Sequence, residues 1–238
     1  MLFYLNFAEK ILDIYAGKSP FIPCIDQQDF NFYYEIRNSL ASCYYRSDKF
    51  VEAIKNSNHS LLKAIPYSSS KPVDIYDDNC QQIICEFEAL LWAIAGHLER
   101  LGKLLVLNYG KPPKARLDIV IANLPDNNEL KKVLSTQCDI IDYIFELRNF
   151  SLHRMSLIHA LKISVYKSKL LIKLPDYSSI IIRNKINKPD DLNYTEKRNH
   201  TDEGYKWFGA LENCSSNIYL DYFNHRLNEY KKRKFNTR

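Results

Sequence analysis

The regular spacing of apolar residues between positions 83 and 105 constrains the fold of this chain most strongly. Apolar side chains recur there at intervals of three and four residues, at 83/84, 87, 90/91, 94, 98, 101 and 104/105. This is the period of a helix that buries one face. Asp77 or Asp78 can cap its start, and Gly110 marks its end. The chain therefore contains a long amphipathic helix whose apolar face must be covered by other elements.

A second apolar stripe predicts another long helix. Asp126 followed by Glu129 three residues later is a capping-box pattern, and the stripe then runs through 130, 133/134, 137/138, 141 and 144/145. The next stripe positions are Arg148 and Leu152. Because burying an unpaired charge is costly, the arginine needs an anion, a partner subunit or a cleft.

The first seventy residues also have helical character. We predict helices over 2–15, 28–46 and 48–64, with Gly17 ending the first and Asp48 capping the third. Residues 1–70 are therefore expected to form an N-terminal helical extension. With 238 residues, 46% of them hydrophobic, the chain can bury a sizeable core as one large domain or as one domain with an extension.

The period changes after Lys162. Short alternating segments at 163–165, 169–174 and 179–183, with Pro175-Asp176 as a turn, predict a small β-hairpin near 163–184. A short helix is expected at 114–123 and a last helix from Thr201 or Asp202 into the C-terminal tail. The predicted fold of 71–238 is thus mainly α, an antiparallel helical bundle with a β-hairpin insertion.

The positive charge is concentrated in the tail. Residues 226–238 contain six lysines and arginines and one glutamate, which accounts for the whole net charge of +5. A solvated charge run is the ordinary explanation, but such a tail can also contact phosphates. The candidate nucleic-acid contacts are Arg154, Lys231, Lys232, Arg233 and Lys234.

Cysteine and histidine spacing argues against a metal site. The six cysteines include no C-x-x-C pair, and His59, His159, His200 and His225 have no ligand spacing with a carboxylate or a cysteine. We expect free thiols, no metal and no cofactor. No signal peptide and no apolar run of about 18 residues is present, so a soluble cytoplasmic protein without a membrane partner is expected.

The residues Arg148, Asn149 and His153 suit metal-independent cleavage of RNA. Asn149 and His153 are four residues apart and share a helix face, and the long side chain of Arg148 can reach toward the imidazole. A histidine can transfer the proton of the 2′-hydroxyl or of the leaving oxygen, and an arginine can stabilise the phosphate in the transition state. A single histidine is too few for separate acid and base, but a symmetric dimer supplies a second.

The string Glu-Leu-Arg-Asn-Phe-Ser-Leu-His at 146–153 resembles the R-x4–6-H signature of the HEPN superfamily. Its R-N-x3-H form resembles that of the ribonuclease members. The resemblance implies a HEPN-like helical bundle at 71–238 that dimerises so that two motifs meet. It also implies a ribonuclease in a toxin–antitoxin or defence system, with an antitoxin or regulatory protein as a further partner. Met155 departs from toxins that carry a modified tyrosine two positions after the histidine.

Two other hypotheses on the function of these residues remain open. A non-catalytic HEPN-like module would bind RNA, nucleotide or a protein partner without cleaving RNA. A structural helical protein would use Arg148 in an ordinary interface salt bridge. His97, on the first long helix, is expected to be a surface or hydrogen-bonded core histidine, although helix packing could bring it near the motif.

Overall fold

The structure, a computed structural model, describes residues 27–64, 71–75, 78–110, 116–153, 157–166, 169–181, 192–194 and 199–236. Helices make up most of these residues, and three short strands form one antiparallel sheet. The prediction of a mainly helical chain with a small β element is therefore confirmed. The helix predicted at 2–15 lies outside the described residues.

The described elements follow one another along the chain as helices α1–α8 and strands β1–β3. Their bounds are α1 Gln27–Ala64, β1 Val73–Asp74, α2 Asp78–Tyr109, α3 Leu117–Ala122, α4 Glu129–Leu134, α5 Cys138–His153, α6 Leu157–Ala160, β2 Lys162–Tyr166, β3 Lys169–Lys173, α7 Tyr177–Ile181 and α8 His200–Asn236.

Helix α1 is continuous, so the predicted division into two helices at Asp48 is wrong. The buried positions Leu40 and Cys43 are followed at helical spacing by Phe50 and Ala53. No glycine or proline interrupts this segment. Asp48 is exposed within the helix and does not begin a new one.

Helix α2 confirms the first apolar stripe. Every stripe residue from Ile83 to Leu105 is buried. Gly110 follows the helix with a φ of +83°, and its N–H donates to the carbonyl of Val106 over 2.9 Å. A left-handed residue at this position commonly terminates helices, and glycine adopts it without a side-chain clash.

The second predicted helix is broken by a single 3-10 turn, Ser135–Gln137, between α4 and α5. The hydroxyls of Ser135 and Thr136 donate to the carbonyls of Lys132 and Val133, each over 3.1 Å. Such bonds compete with regular helix geometry and explain the break.

The predicted cap is also wrong. Asn128 caps α4 through the N–H of Lys131, whereas Asp126 pairs with the ammonium of Lys131.

The hairpin exists, but its turn was placed wrongly. Strand β2 pairs antiparallel with β3, with Lys162 opposite Lys173 and Tyr166 opposite Lys169, and β1 pairs with the other edge of β2. The residues after Pro175 form α7, because Asp176 accepts helical hydrogen bonds from Ser179 and Ile180. The strand predicted at 179–183 is therefore wrong for residues 179–181, and residues 182 and 183 lie outside the described part of the chain.

Helix α8 begins slightly earlier than predicted. The side-chain oxygen of Asn199 accepts from the N–H groups of Thr201 and Asp202 over 3.1 and 3.0 Å. These are two of the backbone donors that a helix leaves unpaired at its start. Asn199, and neither Thr201 nor Asp202, is therefore the capping residue.

The chain divides into two compact units. The motif unit comprises Ser39–Gly96 and Ile140–Phe208, and it contains the sheet together with Arg148, Asn149 and His153. Its fully buried side chains include Leu91, Ile94, Ile144, Phe145 and Trp207. Large apolar groups from α2, α5 and α8 therefore form its core.

The tail unit comprises Met1–Asn38, His97–Asp139 and Gly209–Arg238. Its buried side chains include Leu101, Leu105, Leu117, Ile121, Leu211 and Ile218. Asn108 and Tyr109 of α2 donate to the carboxylate of Asp221 of α8 over 3.2 and 2.7 Å. These bonds fix the register of the two helices within this unit.

Candidate functional site

The motif residues occupy the last part of α5. Arg148 and Asn149 are partly buried, whereas His153 is exposed at the final residue of the helix. Leu147 and Phe150 are buried and hold this part of α5 in the core of the motif unit. The apolar stripe ends there, because Leu152, predicted as a stripe residue, is 48% exposed.

The guanidinium of Arg148 lies over two aromatic rings. Its guanidinium carbon lies 5.7 Å from the ring centroid of Trp92 and 5.5 Å from that of Phe145. A guanidinium over an aromatic face is stabilised by about 0.5–2 kcal/mol, depending on its exposure. The charge in the apolar stripe is thus accommodated by rings from α2 and α5.

Asn149 also contacts the guanidinium of Arg148. Nη2 of Arg148 donates to Oδ1 of Asn149 over 3.2 Å. Because the carboxamide oxygen faces Arg148, the amide NH2 is the end of Asn149 that can donate to a phosphate oxygen. Ser151 donates to the carbonyl of Arg148 over 2.8 Å and braces the same turn.

The side chain of His153 is accessible to a molecule in solvent. Its imidazole makes no hydrogen bond within the part of the chain that the structure describes. It lies one helical turn beyond Asn149, on the same face of α5. A helix end therefore presents an ordered guanidinium, an amide and an accessible imidazole, which together can bind a phosphate and transfer a proton.

Trp92 is the functional residue that the motif itself did not indicate. It contacts Arg148 and is 39% exposed. In the sequence it follows the stripe position Leu91, so it falls off the apolar face of α2. A large aromatic residue away from the stripe is the signal that could have identified it.

The predicted phosphate contacts lie elsewhere in the chain or outside the described residues. Lys231 and Lys232 are exposed on α8 and belong to the tail unit. Arg154 and the side chains of Arg233 and Lys234 are not among those that the structure describes.

His97 belongs to the core of the tail unit. It is fully buried, and its Nε2 lies 2.8 Å from Oγ of Ser215. Since that hydroxyl donates to the carbonyl of Leu211 over 2.6 Å, it accepts from the Nε2–H of His97. The prediction of a hydrogen-bonded core histidine is confirmed. Burial, with the positive charge of Arg100 nearby, lowers the pKa of His97 to about 3.

This pKa shift predicts an acid sensitivity that depends on His97. The unfolded chain, with a histidine pKa near 6.5, binds this proton well before the folded chain does. The free energy of unfolding should therefore fall as the pH drops below 6.5, by about 1.4 kcal/mol per pH unit from this residue. In denaturant titrations, His97→Leu should have a shallower pH dependence than the wild type between pH 6.5 and 4. If the free energies of unfolding of the two proteins changed equally with pH, the lowered pKa of His97 would be contradicted.

Other classes of site receive no support from the described residues. No group of three or more His, Cys, Asp and Glu side chains among them is arranged to hold a metal ion. Within the same residues, Cys85 and Cys214 are free thiols. None of the described helices combines the length and hydropathy needed to cross a membrane.

Comparisons with known proteins find no similar sequence or structure. No protein-family model matches the chain, and neither a curated protein nor a solved structure matches it.

Proposed function

We propose that this protein is a metal-independent endoribonuclease of the HEPN type, acting as a homodimer in a toxin or defence role. The proposal rests on one observation above all: Arg148, stacked on Trp92 and hydrogen-bonded to Asn149, shares the end of α5 with the exposed His153. The motif resemblance and the mainly helical fold support it.

In the proposed reaction the 2′-hydroxyl of RNA attacks the adjacent phosphorus. His153 of one protomer removes the hydroxyl proton as the O2′–P bond forms. His153 of the second protomer gives a proton to the 5′-oxygen as the P–O5′ bond breaks. Arg148 donates to the non-bridging oxygens and stabilises their charge in the transition state. Asn149 holds the guanidinium and donates to the same phosphate. The products end in a 2′,3′-cyclic phosphate and a 5′-hydroxyl.

Exposed apolar side chains beside the motif support the homodimer. Leu152 follows Arg148 by one helical turn, and Trp92 contacts Arg148, yet both remain partly accessible. A second copy that covers these side chains would remove their apolar surface from water. A two-fold axis through such a surface pairs the two motifs.

Binding of the RNA backbone is assigned to the basic residues. Lys231 and Lys232 are exposed and can release counterions from phosphates. We assign the same role to Arg154, Arg233 and Lys234 from the sequence. An antitoxin or regulatory protein is the expected further partner, because an unregulated ribonuclease would degrade the RNA of its own cell.

The test is cleavage of a single-stranded RNA in EDTA by the wild type and by His153→Ala. Cleavage by the wild type alone is expected. Equal cleavage by both proteins would overturn the assignment of His153.

The exposed, unanchored imidazole of His153 also favours a second candidate, a non-catalytic HEPN-like module. A catalytic histidine is usually oriented by a hydrogen bond, and none to His153 is present among the described residues. This candidate predicts RNA binding that weakens with salt and with removal of 226–238, without cleavage.

A further inference from the structure

A cavity of about 470 Å³ lies within the motif unit, between α1, α2 and the first turns of α8. Its walls include Phe50, Phe87, Trp207 and Phe208. The ring centroids of Phe50 and Phe87 are 5.4 Å apart, and those of Phe87 and Trp207 are 5.7 Å apart. Cavities of about 300–1,000 Å³ with mostly apolar walls and few polar groups are typical of small-molecule sites.

Glu203, one of the residues that line this cavity, has a buried carboxylate. The side chain of Glu203 is 5% exposed, and it accepts from the ammonium of Lys206 over 2.8 Å and from Nε1 of Trp207 over 3.2 Å. Its charge is therefore already balanced by Lys206. Because each carboxylate oxygen has two lone pairs, Glu203 can still accept a hydrogen bond from a ligand.

The other polar groups of the wall favour a neutral ligand. Burial lowers the pKa of His200, which lies 6.1 Å from the ring of Phe50 between centroids, so its imidazole is neutral at pH 7. Lys55 also lines the cavity, but it is exposed, so water screens its charge and an anion would gain little from it. A charged ligand would lose its hydration here without gaining a buried opposite charge that is not already paired.

Gly204 keeps part of this cavity open. It lies inside α8 and lines the cavity, and a Cβ built on it would have no atom within 4 Å. A glycine within a helix destabilises that helix relative to alanine. The missing side chain therefore reduces helix stability while leaving room in the cavity.

We propose that this cavity binds a neutral aromatic molecule that donates one N–H or O–H to Glu203. The rings of Phe50, Phe87, Trp207 and Phe208 supply the apolar contact, and Glu203 fixes the orientation. This binding site is separate from the proposed ribonuclease motif and does not depend on RNA cleavage.

The probe is N-phenyl-1-naphthylamine, a neutral aromatic amine with a single N–H. The chain contains two tryptophans, so Trp92→Phe leaves Trp207 in the cavity wall as the only one. Saturable quenching of Trp207 emission, with a matching rise in probe fluorescence, is expected. A probe that leaves Trp207 emission unchanged would overturn the proposal.

A matched pair of glycine variants shows where the probe binds. Gly209, like Gly204, lies in α8 with no atom within 4 Å of a built Cβ, but it does not line the cavity. In the Trp92→Phe background, Gly204→Leu should abolish the quenching of Trp207 emission by the probe, and its melting temperature should be unchanged or higher. Gly209→Leu should bind the probe as tightly as the Trp92→Phe protein does. Equal binding by both variants would contradict the proposal. A lower melting temperature of Gly204→Leu alone would show that this space is already filled, and would also contradict it.

Discussion

Replacing His153 by alanine is expected to slow RNA cleavage by about 10²- to 10⁴-fold, the usual contribution of a general acid or base. The imidazole is exposed at the end of α5 and makes no hydrogen bond to the described part of the chain. Its removal should therefore leave the melting temperature unchanged. The measurement is the initial rate on a single-stranded RNA in EDTA, together with a thermal unfolding curve.

His159→Ala is the matched control for this variant. His159 lies six residues after His153, is exposed on the short helix α6, and has no assigned role in cleavage. The His159→Ala protein should cleave RNA at the wild-type rate, and its products should end in 2′,3′-cyclic phosphates. An equal loss of cleavage rate in both variants would contradict the catalytic role of His153.

Replacing Arg148 by lysine is expected to slow cleavage by about 10²- to 10³-fold although the positive charge remains. Lysine lacks the planar group that donates to two phosphate oxygens at once, and loss of one such transition-state donor has about this effect. The melting temperature should change little, because an ammonium can still lie over the rings of Trp92 and Phe145. Arg37→Lys, at an exposed position of α1, is the control.

Arg148→Leu separates a catalytic from a structural arginine. Leucine suits the apolar stripe that Arg148 interrupts, so stability should be equal or higher while cleavage is lost. A large fall in stability, with the remaining folded protein fully active, would indicate that Arg148 serves packing and not phosphate binding.

The sequence alone located the motif but not its surroundings. Periodicity placed Arg148 on the core side of α5, and the structure shows it partly buried there. The stacking on Trp92 depends on how α2 packs against α5, which no local pattern encodes. The cavity was missed for the same reason, since Phe50, Phe87 and Trp207 come from three helices far apart in sequence.

The fold was predictable where one physical signal dominated. In α2 a long stripe without a competing turn signal was sufficient. Prediction failed where two signals competed. Asp48 suggested a cap inside a helix that its apolar neighbours continue, and the isoleucines after Pro175 suggested a strand where Asp176 begins α7. Tyr143, which donates to the carbonyl of Pro175 over 2.8 Å, helps hold that segment from another helix.

A mixture of wild-type and His153→Ala chains determines whether two motifs form one ribonuclease site. If each site needs both histidines, an equal mixture with free subunit exchange should retain about one quarter of the activity of an all-wild-type sample, because only wild-type pairs cleave RNA. About one half would show that each chain acts alone, and an inactive wild type would contradict the proposed ribonuclease itself.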